Sequence, residues 1–396
     1  MAEKVDIRTM LTAVYLPCLV YAIGQGAVIP VIALTARDLG ASVAVAGFVA
    51  ALVGVGQIVG DIPAGALASR VGERNAMIVA TAVAALGLTG CLLAPSVWLL
   101  AIGIFGIGLA TSVWQLARLS FVAEVVPYQY RGRALSTLGG VQRVGMFLGP
   151  FVGAGAMHVL GGKGAYWVYL AAALAAGGLL LLVTDVTKHQ VPTEPVPTLS
   201  VLKQHWPILR TLGFTALLFG AVRSSRQVVI PLWADSIGLS PTTTSLVYGI
   251  SGAVDMLLFY PAGKVMDRYG RMWVAVPSMV LLGVAHLLLP LTHQASTLLL
   301  VGIVMGIGNG IGSGLVMTMG ADAAPATGRA TFLGAWRLAP DVGMATGPLT
   351  VSAVSAAIAL GPAVLTMGGI ALAAVVALHR WVPRTTGEAP APAEPG

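Results

Sequence analysis

Charge is what this sequence has least of. Only 9% of its 396 residues are Asp, Glu, Lys or Arg, against about 25% in a soluble domain. So few charges cannot cover a water-exposed surface, so most of the surface must face lipid. Cysteine is almost absent. Cys18 and Cys91 lie far apart in apolar stretches, which excludes a disulfide framework and metal-ligand spacing and leaves both as small packing residues. No glycine-rich loop ends in Lys-Ser or Lys-Thr, so the sequence holds no ATP-driven engine of that kind. No metal, cofactor or enzymatic constellation emerges. Nor does the first apolar run, from Met10 after Lys4 and Arg8, end in a small-residue cleavage site; it reads as an uncleaved first span.

What is present is apolar and small. Hydrophobic residues make up 57% of the chain, with 50 glycines and 23 prolines. In an apolar chain such glycines let membrane helices approach closely. Runs long enough to cross the hydrocarbon, about 20 residues each, fall near 10–33, 43–66, 75–95, 97–122, 133–157 and 164–184, then near 208–232, 243–265, 273–291, 296–319, 330–353 and 358–380. This predicts an all-α membrane protein of twelve transmembrane helices in two six-helix bundles. The domains are residues 1–184 and 208–396, the second ending in a short disordered tail, joined by a polar linker, 185–207, that Pro192, Pro195 and Pro197 keep from being helical. The net charge of +7 is no nucleic-acid signal. Fifteen cations (Lys4, Arg8, Arg70, Arg74, Arg131, Arg133, Lys188, Lys203, Arg210, Lys264, Arg268, Arg271, Arg329, Arg380, Arg384) gather on one side of the spans, and only Arg37 and Lys163 on the other. The positive-inside rule then places both termini and the linker in the cytoplasm of an inner, plasma-membrane protein.

The halves repeat at an offset of 198: Pro63-Ala64-Gly65 with Pro261-Ala262-Gly263, Arg70 and Gly72 with Arg268 and Gly270, Glu124 and Pro127 with Asp322 and Pro325, Gly149-Pro150 with Gly347-Pro348. One offset at separate places in the same order implies duplicated halves about an axis along the membrane normal. Gly263-Lys-Val-Met-Asp267-Arg268-Tyr-Gly270-Arg271 resembles the G-x-x-x-D-R-x-G-R loop of the major facilitator superfamily. The first-half copy, Gly65 to Arg74, has Ser69 for the aspartate and its second basic residue displaced to Arg74. Physically, the glycines permit a tight reversal and Asp267 is placed to accept from a helix N-terminus. Arg268 and Arg271 are within reach of Asp322, as Arg70 and Arg74 are of Glu124. Such pairs would latch one arrangement of the halves.

In the fifth span, Gly145-Met-Phe-Leu-Gly149-Pro150-Phe-Val-Gly153 resembles the glycine-proline motif of the drug/proton antiporter branch. Glycines four apart make a flat face, and Pro150 removes a backbone bond, so the motif suits a flexible seal between halves. That branch also carries an arginine early in the fourth span. Here Ile102 stands there, so the family's proton-relay assignment does not carry over.

Ionisable groups at mid-membrane are expensive and functional by default. They are Arg118, Arg143, Arg223, Arg226, Asp255, Arg337 and Asp341, with Asp61 toward the cation-rich end of span two. Arg337 and Asp341 are four apart and can pair along one helix; Arg223 and Arg226 share a face. Asp255 either balances a span-seven arginine or carries a proton. Asp255, Asp341 and Asp61 are thus the proton-coupling candidates. Arginine keeps its proton, so five arginines against two acids, or three with Asp61, favour anions, which a guanidinium grips with two bonds. Gln25, Gln57, Gln115, Gln142, Gln227 and Asn309 supply polar lining. Trp114 and Trp336 suit a cavity wall. The resemblance and the charges together imply a secondary transporter, expected as a monomer in the lipid bilayer, that exports small organic molecules against protons by alternating access. A carrier of one anionic or lipid-like metabolite is the first rival, and a receptor without turnover the second.

Overall fold

The computed structural model describes residues 14–126, 128–182, 205–324 and 329–382. The terminal and linker cations Lys4, Arg8, Lys188, Lys203 and Arg384 lie outside them, as do Pro127, Pro325 and most of the linker; the side chains of Glu124, Arg131, Arg133 and Arg329 are likewise outside the description.

Apolar sequence in lipid must satisfy its backbone internally, and helices do so. The first half holds α1 (Leu16–Asp38), α2 (Val43–Val71), α3 (Glu73–Leu93), α4 (Val97–Val125), α5 (Tyr128–Leu160) and α6 (Gly164–Leu182). The second holds α7 (Phe214–Ser236), α8 (Pro241–Tyr269), α9 (Met272–Leu291), α10 (Ala295–Ala323), α11 (Arg329–Ala357) and α12 (Leu360–Trp381). Among the described residues, ten helices are long and apolar enough to cross a membrane. The other two, α7 and α11, have the length but are interrupted by Arg223 and Arg226, and by Arg337 and Asp341.

The 198-residue offset extends to the turns. Ser42 caps α2 by accepting from the Val45 amide, and Ser240 caps α8 by accepting from the Thr243 amide. The single-residue reversals after α2 and α8 are Gly72 (φ 82°) and Gly270 (φ 98°), a left-handed backbone that glycine adopts without a Cβ penalty. Asp267, placed by the sequence to accept from a helix N-terminus, does not cap α9: the N-cap there is Arg271, with no side-chain cap, and Asp267 is exposed.

Within each half, α1 packs against α5 and α7 against α11. A Cβ on Gly145 would stand 2.6 Å from the Ala22 Cβ, and one on Gly149 would stand 2.5 Å from the Ile23 carbonyl oxygen. The glycine-proline face therefore buries itself against α1 inside its own half and is not the seal between halves. Gly343 and Gly347 abut α7 in the same way, at Leu217 and Ala221. The halves meet instead along α2 with α11 and α5 with α8.

Because Gly149 has no room and Gly155 has nothing within 4 Å, the two glycines should respond differently. Gly149→Ala is expected to cost about 1–3 kcal/mol through overpacking. Gly155→Ala should stay within about 0.5 kcal/mol of the parent. The midpoint of denaturant unfolding in detergent measures both.

Candidate functional site

The seam is tightest toward the face that carries Arg37. There the Arg37 Nε donates to the Asp235 carboxylate at 2.9 Å, joining α1 to α7 across the halves, and its Nη1 donates to the Ala41 carbonyl at 2.6 Å. Arg37 and Asp235 are themselves 198 residues apart, so one duplicated position has become a cation in one half and an anion in the other. Beside it the Ser352 hydroxyl of α11 donates to the Ala44 carbonyl at 2.7 Å. Deeper, Gly54 of α2 lies against Ala345 of α11.

Beyond Gly54 the halves part. A small pocket opens there, lined by Gly54, Gln57, Ile58 and Asp61 of α2, Ser112 and Gln115 of α4, and Arg337, Asp341 and Met344 of α11. Arg337 donates to Asp341 at 3.3 Å along its own helix and to the Gln115 side chain at 3.3 Å across the seam. Asp61 is exposed to this pocket. Two carboxylates share one guanidinium, so the pocket carries one negative charge in excess.

The pseudo-symmetric partner of this pocket lies between α5, α8 and α10. At the same offset Gln57 becomes Asp255, Asp61 becomes Phe259, Gln115 becomes Ser313, and Asp341 corresponds to Arg143. Here Arg143 crosses the seam from α5. It lies 4.0 Å from the Phe259 ring centroid and donates to the Ser313 hydroxyl at 3.2 Å. Arg223 donates to the same hydroxyl at 3.2 Å, to the Asn309 side chain at 2.7 Å and to the Gly312 carbonyl at 3.4 Å. Asn309 in turn donates to Asp255. Arg226 donates to Asp255 at 3.4 Å and to the Ser251 hydroxyl at 3.1 Å. Three guanidiniums face one carboxylate, so this cluster carries two positive charges in excess. The same frame thus holds an acidic site on one side of the axis and a basic one on the other.

Helix α10 is broken at the basic cluster. Its first segment ends at Ile311, Gly314 turns left-handed (φ 85°), and a second segment starts at Leu315. Arg223 thus sits at the C-terminal end of a helix, where a cation offsets the exposed carbonyl dipoles. Gly312-Ser313-Gly314 is the local cause, since α4 has Trp114-Gln115-Leu116 at the equivalent place and runs on unbroken.

Other expected site residues lie elsewhere. Trp114 is buried, stacked on Tyr21 with centroids 4.4 Å apart, and its indole donates to Thr81 at 3.1 Å. Trp336 is buried with its indole donating to the Val316 carbonyl at 3.1 Å. Both indoles are spent inside a bundle, so neither lines the seam pocket. Gln25 donates to Thr111 at 2.9 Å, the first-half counterpart of Arg223 with Asn309. Arg118 donates to Gln142 at 2.5 Å between α4 and α5, away from the seam pocket. Gln227 is half-buried on α7 beside Arg226.

At the cation-rich face, Arg271 grips Asp322 with two bonds of 2.8 and 2.9 Å. That pair ties α9 to α10 within the second half. In the first half Arg74 donates to the carbonyls of Leu180 and Leu181 at the end of α6. Arg70 is exposed, and Arg268 lies over Tyr269. Gly65 and Gly263 have ample space around them. These loops brace each half internally; among the described residues the ion pair that joins the halves is Arg37 with Asp235. The sequence reading missed it, although the shared offset marked both residues.

The family model described as Major Facilitator Superfamily matches residues 15–232 and again 212–396, one match per half. The chain belongs to this superfamily. Within it, the chain is 25% identical over 317 residues to the "Multi-drug resistance efflux pump PmrA homolog" of Lactococcus lactis, covering 76% of each protein. It is 26% identical over 352 residues to the "Tetracycline resistance protein, class G" of Vibrio anguillarum, covering 85% of this chain and 88% of that one. The solved nucleoside transporter NupG superposes with a TM-score of 0.73 at 13% identity, over 94% of this chain and 98% of its own. The human organic anion transporter MFSD10 gives 0.68 at 15%, over 94% and 99%. At such identities these two structures show the shared superfamily fold alone.

The Arg37–Asp235 pair is about one-third exposed on each side, and such pairs contribute roughly 0.2–1 kcal/mol. Asp235→Asn should therefore raise the population open toward the Arg37 face about 1.4- to fivefold. The charge swap Arg37→Asp with Asp235→Arg should restore the parent value. Labelling of a cysteine placed at Ser352 with a membrane-impermeant reagent reads the shift.

Proposed function

We propose that this chain is a proton-coupled exporter of small organic molecules in the inner membrane, with both termini in the cytoplasm, working by rocking of its two halves. The observation that carries the reading is the acidic pocket at the seam. Asp61 comes from the first half and Asp341 from the second, and both face one pocket with Arg337 beside them. Two carboxylates and one guanidinium in a partly desolvated pocket leave one carboxylate without a full counter-charge. That is the composition that favours taking up one proton. A proton on Asp341 weakens its hold on Arg337, the guanidinium that also donates to Gln115 across the seam, so protonation acts on a group that makes an inter-half contact. An equilibrium between two arrangements responds to a ligand only through such differential contacts.

Asp255 is the weaker candidate for the proton. It accepts from both Arg226 and Asn309, so its carboxylate already serves as the counter-charge of the basic cluster. The direction of transport is supported by relatives named for efflux and for tetracycline resistance, and the cytoplasmic termini by the fifteen cations on one face.

Reconstitution in proteoliposomes with an imposed pH gradient tests this. Each coupled proton drives about tenfold accumulation per pH unit. Asp61→Asn and Asp341→Asn should each abolish accumulation of a transported dye while leaving gradient-free exchange in place, and Asp255→Asn should keep accumulation coupled to the gradient. Accumulation by both pocket variants equal to the parent's would rule out the pocket as the proton site.

A further inference from the structure

Resting on the transporter reading above, the basic cluster has a role that the proton chemistry does not use. We infer that Arg143, Arg223 and Arg226 form a binding site for an anionic group, a carboxylate or phosphate carried by the transported molecule, held at the seam where α10 breaks.

Three features converge on this. The first is charge. Arginine stays protonated, and the cluster's single carboxylate, Asp255, is engaged by Arg226 and Asn309. Two positive charges remain without a counter-ion among the described side chains that contact them, in a place where uncompensated charge is costly. An anion is the partner that cancels them.

The second is the geometry of the donors. Arg143 and Arg223 both point an N–H at one neutral atom, the Ser313 oxygen, each at 3.2 Å. Two like charges aimed at one hydroxyl is the arrangement that a shared anion between them would relieve. Arg143 lies over Phe259, its guanidinium carbon 4.0 Å from the ring centroid, and carboxylate and phosphate accept paired bonds from such a group. The Nε of Arg226 is buried with no acceptor at all, on a side chain only 10% exposed.

The third is position. Arg143 belongs to the first half and Arg223 and Arg226 to the second, so an anion gripped by all three bridges the halves. Bound anion therefore favours the arrangement in which α5 and α8 touch, and rocking apart removes Arg143 from the site. Phe259 and Tyr248, which lie against Arg143 and Arg226, give the non-polar body of an amphipathic molecule a surface. The acidic counterpart across the axis is the natural place for protons, so one duplicated frame would carry the two partners of an exchange.

The test is equilibrium binding to the full chain in phosphatidylcholine nanodiscs without any gradient, using 1-naphthoate and 1-naphthylmethylammonium, which match in shape and differ in charge. The expected result is calorimetric binding of naphthoate in clear preference to the ammonium. Arg143→Gln and Arg223→Gln should each weaken naphthoate about tenfold or more, with Arg143→Lys falling between. Should a glutamine variant fail to fold, the charge preference of the unaltered chain still decides. Equal affinity for the two probes, or naphthoate affinity unchanged in Arg143→Gln, overturns the inference. If nanodiscs containing phosphatidylglycerol compete naphthoate away, the anion site stands and its occupant is a lipid headgroup. Because no gradient is applied, charge-blind binding beside intact pH-driven accumulation sinks this inference alone. Anion-selective binding with no accumulation sinks the proton-coupled reading and leaves the site.

Discussion

The cost of charge in low dielectric governs this molecule. Among the described residues, ten helices are apolar enough to qualify as spans by length and composition, some with a single embedded charge such as Arg118, Arg143 or Asp255. The exceptions are instructive. Helices α7 and α11 give up apolarity at Arg223, Arg226, Arg337 and Asp341, and these side chains all reach the seam or its lining. A charge turned to lipid would cost several kcal/mol. A charge in a polar cleft between two bodies costs far less, and it makes the energy of that cleft depend on how the bodies sit.

Duplication supplies the frame and mutation fills it unequally. Caps, turn glycines and helix-packing glycines keep their identity at an offset of 198, because backbone reversal and close approach leave few alternatives. The seam positions do not. Gln57 faces its counterpart Asp255, Asp61 its counterpart Phe259, and Asp341 its counterpart Arg143. Even the Arg37–Asp235 seal is one position split into opposite signs. Conserved scaffold residues hold the two halves alike, and divergent ones give the two faces of the axis different chemistry.

This explains what could be read from the sequence and what could not. Depth along a helix is visible in one dimension, so the spans, the repeat, the superfamily loop and the ionisable residues near mid-membrane were all legible. Azimuth is not. Trp114 and Trp336 sit at plausible depths but turn inward to Thr81 and to the Val316 carbonyl. Gly145 and Gly149 have the spacing of a contact face, yet nothing in that spacing says whether the contact is α1 or the opposite half. The pairing of Arg337 with Asp341 was legible because it is local, four residues along one helix. The link of Arg143 to Ser313, 170 residues away, was not, and the broken α10 showed only as glycines among many others.

The magnitudes suggest why such a machine needs few contacts. The seal at the Arg37 face is a part-exposed ion pair, a contribution of about 1 kcal/mol or less. One pH unit acting through one coupled proton provides about 1.4 kcal/mol. On the proposed proton coupling the two are comparable, so a single protonation would suffice to open a seal of this strength, whereas a fully buried pair that costs about 3–5 kcal/mol to break would lock the halves. The more deeply buried pair, Arg226 with Asp255, lies within the second half and would not have to break if the halves rock. The hydrogen bonds that charged side chains make across the seam include Arg37 to Asp235, Arg337 to Gln115 and Arg143 to Ser313, each partly exposed or made to a neutral group. Strength within each half and weakness between them is what alternating access demands, and here it follows from where each charge finds its partner.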